Sequence, residues 1–279
     1  MKNLKYKLIA SDFDGTLTGK GSAVPEENMN AIRAYQAAGG MFVVATGRMF
    51  PSIMRQLPFL GLNQKGVPLV SYQGALITDS NSGEALFSAA MRRDTVRKIV
   101  RFCARQNYYC QFYSFDKVFV KEYCALARGY AEYSEVADCV VVTGGHEAYL
   151  DAHPELEVCK VMLIDLNGGI AEKEAKLNEY LNGETVFCRS ADVLTECVAG
   201  SAGKGSALTW LSEYTGIPIG ETLAIGDSMN DESMLKAAGL GVAMANASEE
   251  LKSAAGYITD TNENAGLAKV IWKILAGEL

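Results

Sequence analysis

Short unbroken apolar runs alternate with stretches of helical periodicity at both ends of this chain. Residues 7–11 read as a buried strand. Residues 25–38 follow, with Pro25 placed for a helix start and Met29, Ile32 and Tyr35 at helical spacing. Gly39-Gly40 stops that helix. MFVVAT (41–46) is a second buried strand, Gly47-Arg48 opens another helix, and PLVSYQGALIT (68–78) gives two more short strands around Gln73-Gly74. Apolar strands separated by helices are the mark of a parallel sheet covered on both faces.

The rhythm changes after residue 85. A helix over 94–107 carries Val96, Ile99, Val100 and Cys103 on one face. YYCQFYS (108–114) and KVFVK (117–121) read as antiparallel neighbours around Phe115-Asp116. Further strands are expected at 158–164, 185–189 and 193–198, with a helix near 171–181. From Gly203 the first rhythm returns: helix 204–215, strand 222–227, helix 230–238, strand 241–245, helix 248–254, a short strand at 257–259 and a helix 265–276. The expectation is one α/β core, residues 1–85 and 199–279, with an α+β segment, 86–198, inserted into it.

Composition narrows the picture. The chain has 279 residues, 49% of them hydrophobic, enough for a substantial core. Its net charge is −7 with no basic run, which argues against a nucleic-acid surface. Small anionic substrates then need local cations or a metal. No apolar run approaches the ~18 residues of a membrane span, and MKNLKYKLIASD lacks the apolar stretch of a signal peptide. Seven cysteines, an odd number with no C-x-x-C, argue against a disulfide framework or a structural zinc site. The expected setting is the cytoplasm; oligomeric state is not legible.

Candidate chemistry collects at strand ends. Asp12 and Asp14 stand at i and i+2 where the first strand finishes, so extended geometry would point both the same way, and Gly15 allows a sharp turn. Thr46-Gly47-Arg48 follows the second strand and suits an anion at a helix N-terminus, although Thr is also an ordinary cap. Asp227 ends a later strand, with Asn230 and Asp231 opening the next helix. In a parallel sheet these ends share one rim. Two carboxylates ~5 Å apart repel by roughly 3 kcal/mol at an effective dielectric of ~20. A hard divalent cation removes that conflict, and an all-oxygen set suits Mg²⁺ better than Zn²⁺. Lys204 in GSAGKGSAL is not a P-loop lysine, because Gly205 occupies the Ser/Thr place; it reads as a positive charge delivered to a phosphate. No G-x-G-x-x-G follows the first strand, and His146 and His153 lie far from any core strand end in the sequence, so both are expected to be packing residues.

Together DFDGTLT (12–18), ATGR (45–48), AGKGSAL (202–208) and GDSMND (226–231) resemble the haloacid dehalogenase-like phosphohydrolases, and most closely their Cof-type sugar-phosphatase branch. The resemblance implies a Rossmann-like core with an inserted cap, and a Mg²⁺-dependent phosphatase acting on a small phosphorylated metabolite. It implies Asp12 as nucleophile, Asp14 as acid and base, and Mg²⁺ held by Asp12, the Asp14 carbonyl and Asp227. Thr46, Gly47, Arg48, Lys204 and Asn230 would contact substrate phosphate, and Asp231 would support the metal shell or the lysine. Tyr113, Tyr123 and Arg128 are candidate cap contacts. Two positions depart from the family pattern: Gln73-Gly74 where Asn-Gly is frequent, and Ala265-Gly266 where an acidic residue usually precedes the glycine. A phosphomutase, or a catalytically silent sugar-phosphate sensor, are the alternatives.

Overall fold

The computed structural model describes residues 4–133 and 139–279; the first three residues of the N-terminal stretch weighed above lie outside it. The chain opens with β1 (Leu8–Ser11), α1 (Glu26–Ala37), β2 (Met41–Val44), α2 (Phe50–Leu60), β3 (Pro68–Ser71), β4 (Leu76–Asp79) and β5 (Ala85–Ser88). It continues through α3 (Arg93–Gln106), β6 (Cys110–Tyr113), β7 (Val118–Val120), α4 (Ala125–Tyr133), β8 (Cys139–Val141), α5 (His146–Ala152), β9 (Lys160–Ile164), α6 (Ile170–Leu181), β10 (Thr185–Ala191) and β11 (Leu194–Ala199). The last part holds α7 (Lys204–Thr215), β12 (Thr222–Gly226), α8 (Glu232–Ala237), β13 (Leu240–Ala243), α9 (Glu249–Ala254), β14 (Tyr257–Ile258) and α10 (Gly266–Ala276).

The central sheet runs β14-β13-β12-β1-β2, parallel throughout. Period-two alternation sends its side chains to two separate cores. Ile9, Phe42, Val44, Leu223 and Ile225 pack on α1 and α10, while Leu8, Ala10, Val43 and Ala224 pack on α7 and α8. Each fully buried aliphatic residue is worth about 1.5–3 kcal/mol relative to exposure. These strands are apolar on both faces because both faces are covered.

PLVSYQGALIT does not extend that sheet. β3 and β4 pair antiparallel with each other and with β5, and one parallel bridge, Ala45 to Val70, ties them to the end of β2. The reason lies in the turn: Tyr72 and Gln73 are both left-handed, at φ 52° and 58°, and fold the chain straight back. The helix expected from Gly47-Arg48 begins later, at Phe50, with Pro51 in its first turn. Ala265 takes φ 52° at the start of α10, a conformation that disfavours alanine.

The segment between β5 and α7 forms a second sheet, β10-β11-β9-β6-β7-β8, antiparallel except for β7 beside β8. Its outer face (Phe112, Val161, Leu163, Cys197) packs on α3 and α6. The other face (Tyr113, Met162, Ile164, Val198) meets Met49 and Tyr72 of the first part of the chain. The seven cysteines are free, five of them buried as small apolar groups. Among the described residues no helix is long and apolar enough to cross a membrane.

Candidate active site

Three strands of the central sheet end on one rim, as their parallel pairing requires. β1 leads into Asp12, which is only 6% exposed although its side chain is ionisable. Past it the chain winds through Phe13–Leu17, with Gly15 at φ +80°. A Cβ at Gly15 would stand 2.5 Å from Asp227 Oδ2, so only glycine lets this turn approach the carboxylate at the end of β12. Thr16 Oγ1 donates to Asp227 Oδ1 at 2.7 Å.

Lys204, the first residue of α7, is buried on the same rim and donates to Asp12 Oδ1 at 2.5 Å and to Asp231 Oδ1 at 2.6 Å. The other Asp231 oxygen accepts the backbone N–H groups of Asp227 and Ser228, both at 3.1 Å. Asp231 is thereby committed, and it braces the lysine and the loop. Oxygens of Asp12, Asp227 and Asp231 all lie within 4.8 Å of one another. Burial drives Asp12 well above the usual carboxylate range; Lys204 opposes this, and Asp231 and Asp227 reinforce it. Burial likewise pushes Asp227 up to about 6, against the Thr16 hydrogen bond and with help from Asp231. For Lys204 burial favours the neutral amine, but Asp12 and Asp231 together outweigh it and hold the ammonium above its ordinary range. One cation among three carboxylates leaves an excess of negative charge facing the rim, a hard all-oxygen set of the kind Mg²⁺ takes.

Asp14 points elsewhere than Asp12. Its side chain forms a two-pronged pair with Arg48, Nε to Oδ2 at 2.7 Å and Nη2 to Oδ1 at 2.6 Å, and it is not part of the carboxylate cluster. The Arg48 guanidinium lies over the Phe13 ring, 5.0 Å from its centre. The expectation that Asp12 and Asp14 point the same way fails because the extended run is interrupted at Phe13, although Asp14 itself is extended at φ −82°, ψ 120°. Thr46 is buried, and its hydroxyl accepts the Arg48 N–H at 3.1 Å. Asn230 donates to Gln73 Oε1 at 3.1 Å, and its own Oδ1 is buried without a partner.

These residues open into a cavity of about 510 Å³ between the central and second sheets. Asp12, Asp14, Thr46, Gly47, Arg48 and Asn230 line one end of it. Tyr113, Tyr123 and Arg128 are not among its lining residues; Tyr113 is turned into the sheet, where it pairs with Gln111 and Met162 Sδ. His146 packs edge-on against Phe112 within the second sheet's outer core and lines a separate cavity.

The sequence reading missed Lys160 and Glu196. They form a buried ion pair on adjacent strands β9 and β11. Gln73 donates to the second Glu196 oxygen at 2.7 Å, and Lys160 Nζ donates to the Gly47 carbonyl at 3.1 Å. The available signal was a lysine opening KVMLI and a glutamate inside LTECVA, charges set in otherwise apolar strands.

A parallel core carrying this rim of aspartates around one lysine defines a phosphoryl-transfer type of hydrolase. The chain matches the model of the haloacid dehalogenase-like hydrolases over residues 9–271 and belongs to that family. It is 32% identical to phosphatase YwpJ of Bacillus subtilis, covering 96% of this chain and all of that one. It is 30% identical to the 5-amino-6-(5-phospho-D-ribitylamino)uracil phosphatase YcsE of the same organism, over 97% of this chain and 96% of that one. A haloacid dehalogenase-like hydrolase from Bacteroides thetaiotaomicron superposes with a TM-score of 0.83 at 29% identity, over 96% of this chain and 99% of that one. The chain is accordingly a phosphoric monoester hydrolase of this family.

Proposed function

We propose that the protein is a Mg²⁺-dependent phosphatase of small phosphorylated metabolites that works through an aspartyl-phosphate on Asp12. The observation that carries this reading is the buried Lys204 bridging Asp12 and Asp231 beside Asp227, with Asp12 also lining the cavity. The proposed division is a catalytic core of residues 1–85 and 199–279 with 86–198 as its cap.

In this reading an Asp12 oxygen attacks phosphorus and the bond to the ester oxygen breaks. Asp14, once it leaves its two-pronged pair with Arg48 and carries a proton, gives that proton to the leaving oxygen. Asp14 then takes a proton from water, which attacks the same phosphorus, and the bond to Asp12 breaks to release phosphate. Thr46, the Gly47-Arg48 backbone and Lys204 hold the phosphoryl oxygens, and Lys204 offsets the charge of Asp12. Asp12, Asp227 and the Asp14 carbonyl would hold Mg²⁺, which supplies charge neutralisation for the phosphoryl oxygens when bound. Asp231 positions Lys204. Asn230, which donates to Gln73, would contact the substrate phosphate.

Phosphate release from p-nitrophenyl phosphate and a panel of metabolite esters, with Mg²⁺ and with chelator, tests the reading. Metal-dependent release that disappears in a folded Asp12→Asn variant is expected. Interconversion of phosphorylated isomers with little free phosphate would replace it with a mutase, and binding without turnover would replace it with a sensor.

A further inference from the structure

The cavity has two chemically different sides. Strand alternation decides what the second sheet presents to it. From β9 the inward positions are Lys160, Met162 and Ile164, and from β11 they are Leu194, Glu196 and Val198. Of these, Met162, Ile164, Leu194 and Glu196 line the cavity, joined by Leu126, Leu166 and Val193. Glu196 is therefore the one charged group that this sheet contributes, among the described residues. Both its oxygens already accept hydrogen bonds, from Lys160 and from Gln73. The other polar groups on that face, Gln111 and Tyr113, bond to each other and do not reach the lining. The side formed by the central sheet is rich in polar groups; the side formed by the second sheet, apart from the paired Glu196, is a wall of aliphatic side chains and methionine.

Such a wall discriminates by what it leaves unsatisfied. A polyhydroxylated alcohol seated against it would lose water from several hydroxyls and find few partners. An apolar alcohol of the same size loses nothing comparable and gains burial. Resting on the phosphatase reading above, we infer that the preferred substrates are phosphate monoesters of compact, largely apolar alcohols, and that sugar phosphates are poor substrates. Leu194 and Val193 are the specificity-determining positions most open to change, being half-buried at a strand start.

The test compares benzyl phosphate with glucose 6-phosphate, both esters of a primary alcohol, under Mg²⁺. A kcat/KM at least about tenfold higher for benzyl phosphate is expected, and equal or higher efficiency on the sugar ester would overturn the inference while leaving the phosphatase reading intact. Failure to hydrolyse either ester or p-nitrophenyl phosphate would remove both. Val193→Thr keeps the side-chain shape, and Leu194→Asn adds an amide to the wall. Each should lower the benzyl-to-sugar ratio, by roughly fivefold or more for Leu194→Asn. A ratio unmoved in both variants would show that the apolar wall is not the discriminator.

Discussion

Lys204 and Asp12 touch at 2.5 Å across 192 positions of sequence, with neither side chain more than 8% exposed. The contact joins the start of α7 to the end of β1. It makes the lysine a structural counter-ion, since Asp231 shares the same ammonium.

Replacing Lys204 with methionine should therefore damage both stability and activity. Two buried carboxylates would lose their partner, a change that typically costs about 3–5 kcal/mol. Phosphate release should fall by about 10²-fold or more. Thermal melts and steady-state kinetics on the same preparation check both. A variant with an unchanged melting temperature would show that Lys204 does not neutralise Asp12 in the folded protein.

The pH response of the metal-free protein follows from the raised carboxylates. Asp227 is pushed up to about 6 and Asp12 also lies above its usual range, so folding takes up protons at these sites. Their contribution is fully present below the unfolded value of about 3.9. For Asp227 it is lost as pH climbs through about 6, and Asp12 changes in the same direction. At the proposed metal site Mg²⁺ and protons would compete for the same oxygens, so the rise in melting temperature on adding Mg²⁺ should be small at pH 5 and larger at pH 7.5. Melts with Mg²⁺ and with chelator across that range measure it, and a constant increment would contradict the account.

Lys160 and Glu196 invite a double-mutant cycle. Lys160→Met or Glu196→Gln alone leaves a buried partner uncompensated, and each should destabilise by several kcal/mol, about 3–5 for the loss of one charge. The pair removed together should cost less than the sum of the two. Because Lys160 also holds the Gly47 carbonyl and Glu196 also holds Gln73, KM should rise in the single variants. Additive losses in denaturant melts would mean the two charges are not coupled.

The parallel sheet was readable because its strands are apolar on both faces; three of the four motifs were readable because each closes a strand, and the fourth, AGKGSAL, because it opens α7. What escaped was set by chain reversal and by pairing between distant residues. The left-handed pair Tyr72-Gln73 carries no glycine to announce it until Gly74, so β3 and β4 looked like members of the main sheet. α4, β8 and α5 were missed, as their helical and extended periods are too short to stand out. Asp12 and Asp14 were read as neighbours in direction, which holds only while the backbone stays extended. Lys160 and Glu196 meet through strand register, and register is not written in either segment by itself.

The position of β1 in the sheet bears on how the protein is made. One of its edges pairs with β2, which follows closely, but the other pairs with β12, beginning at Thr222. During synthesis the nascent strand must wait, with one row of amides unpaired, until more than two hundred residues have emerged. The lysine and the second and third aspartates arrive with that late portion. A ribosome-bound intermediate would thus be inert and adhesive, and a chaperone that shields an open strand edge is the kind of help this topology calls for.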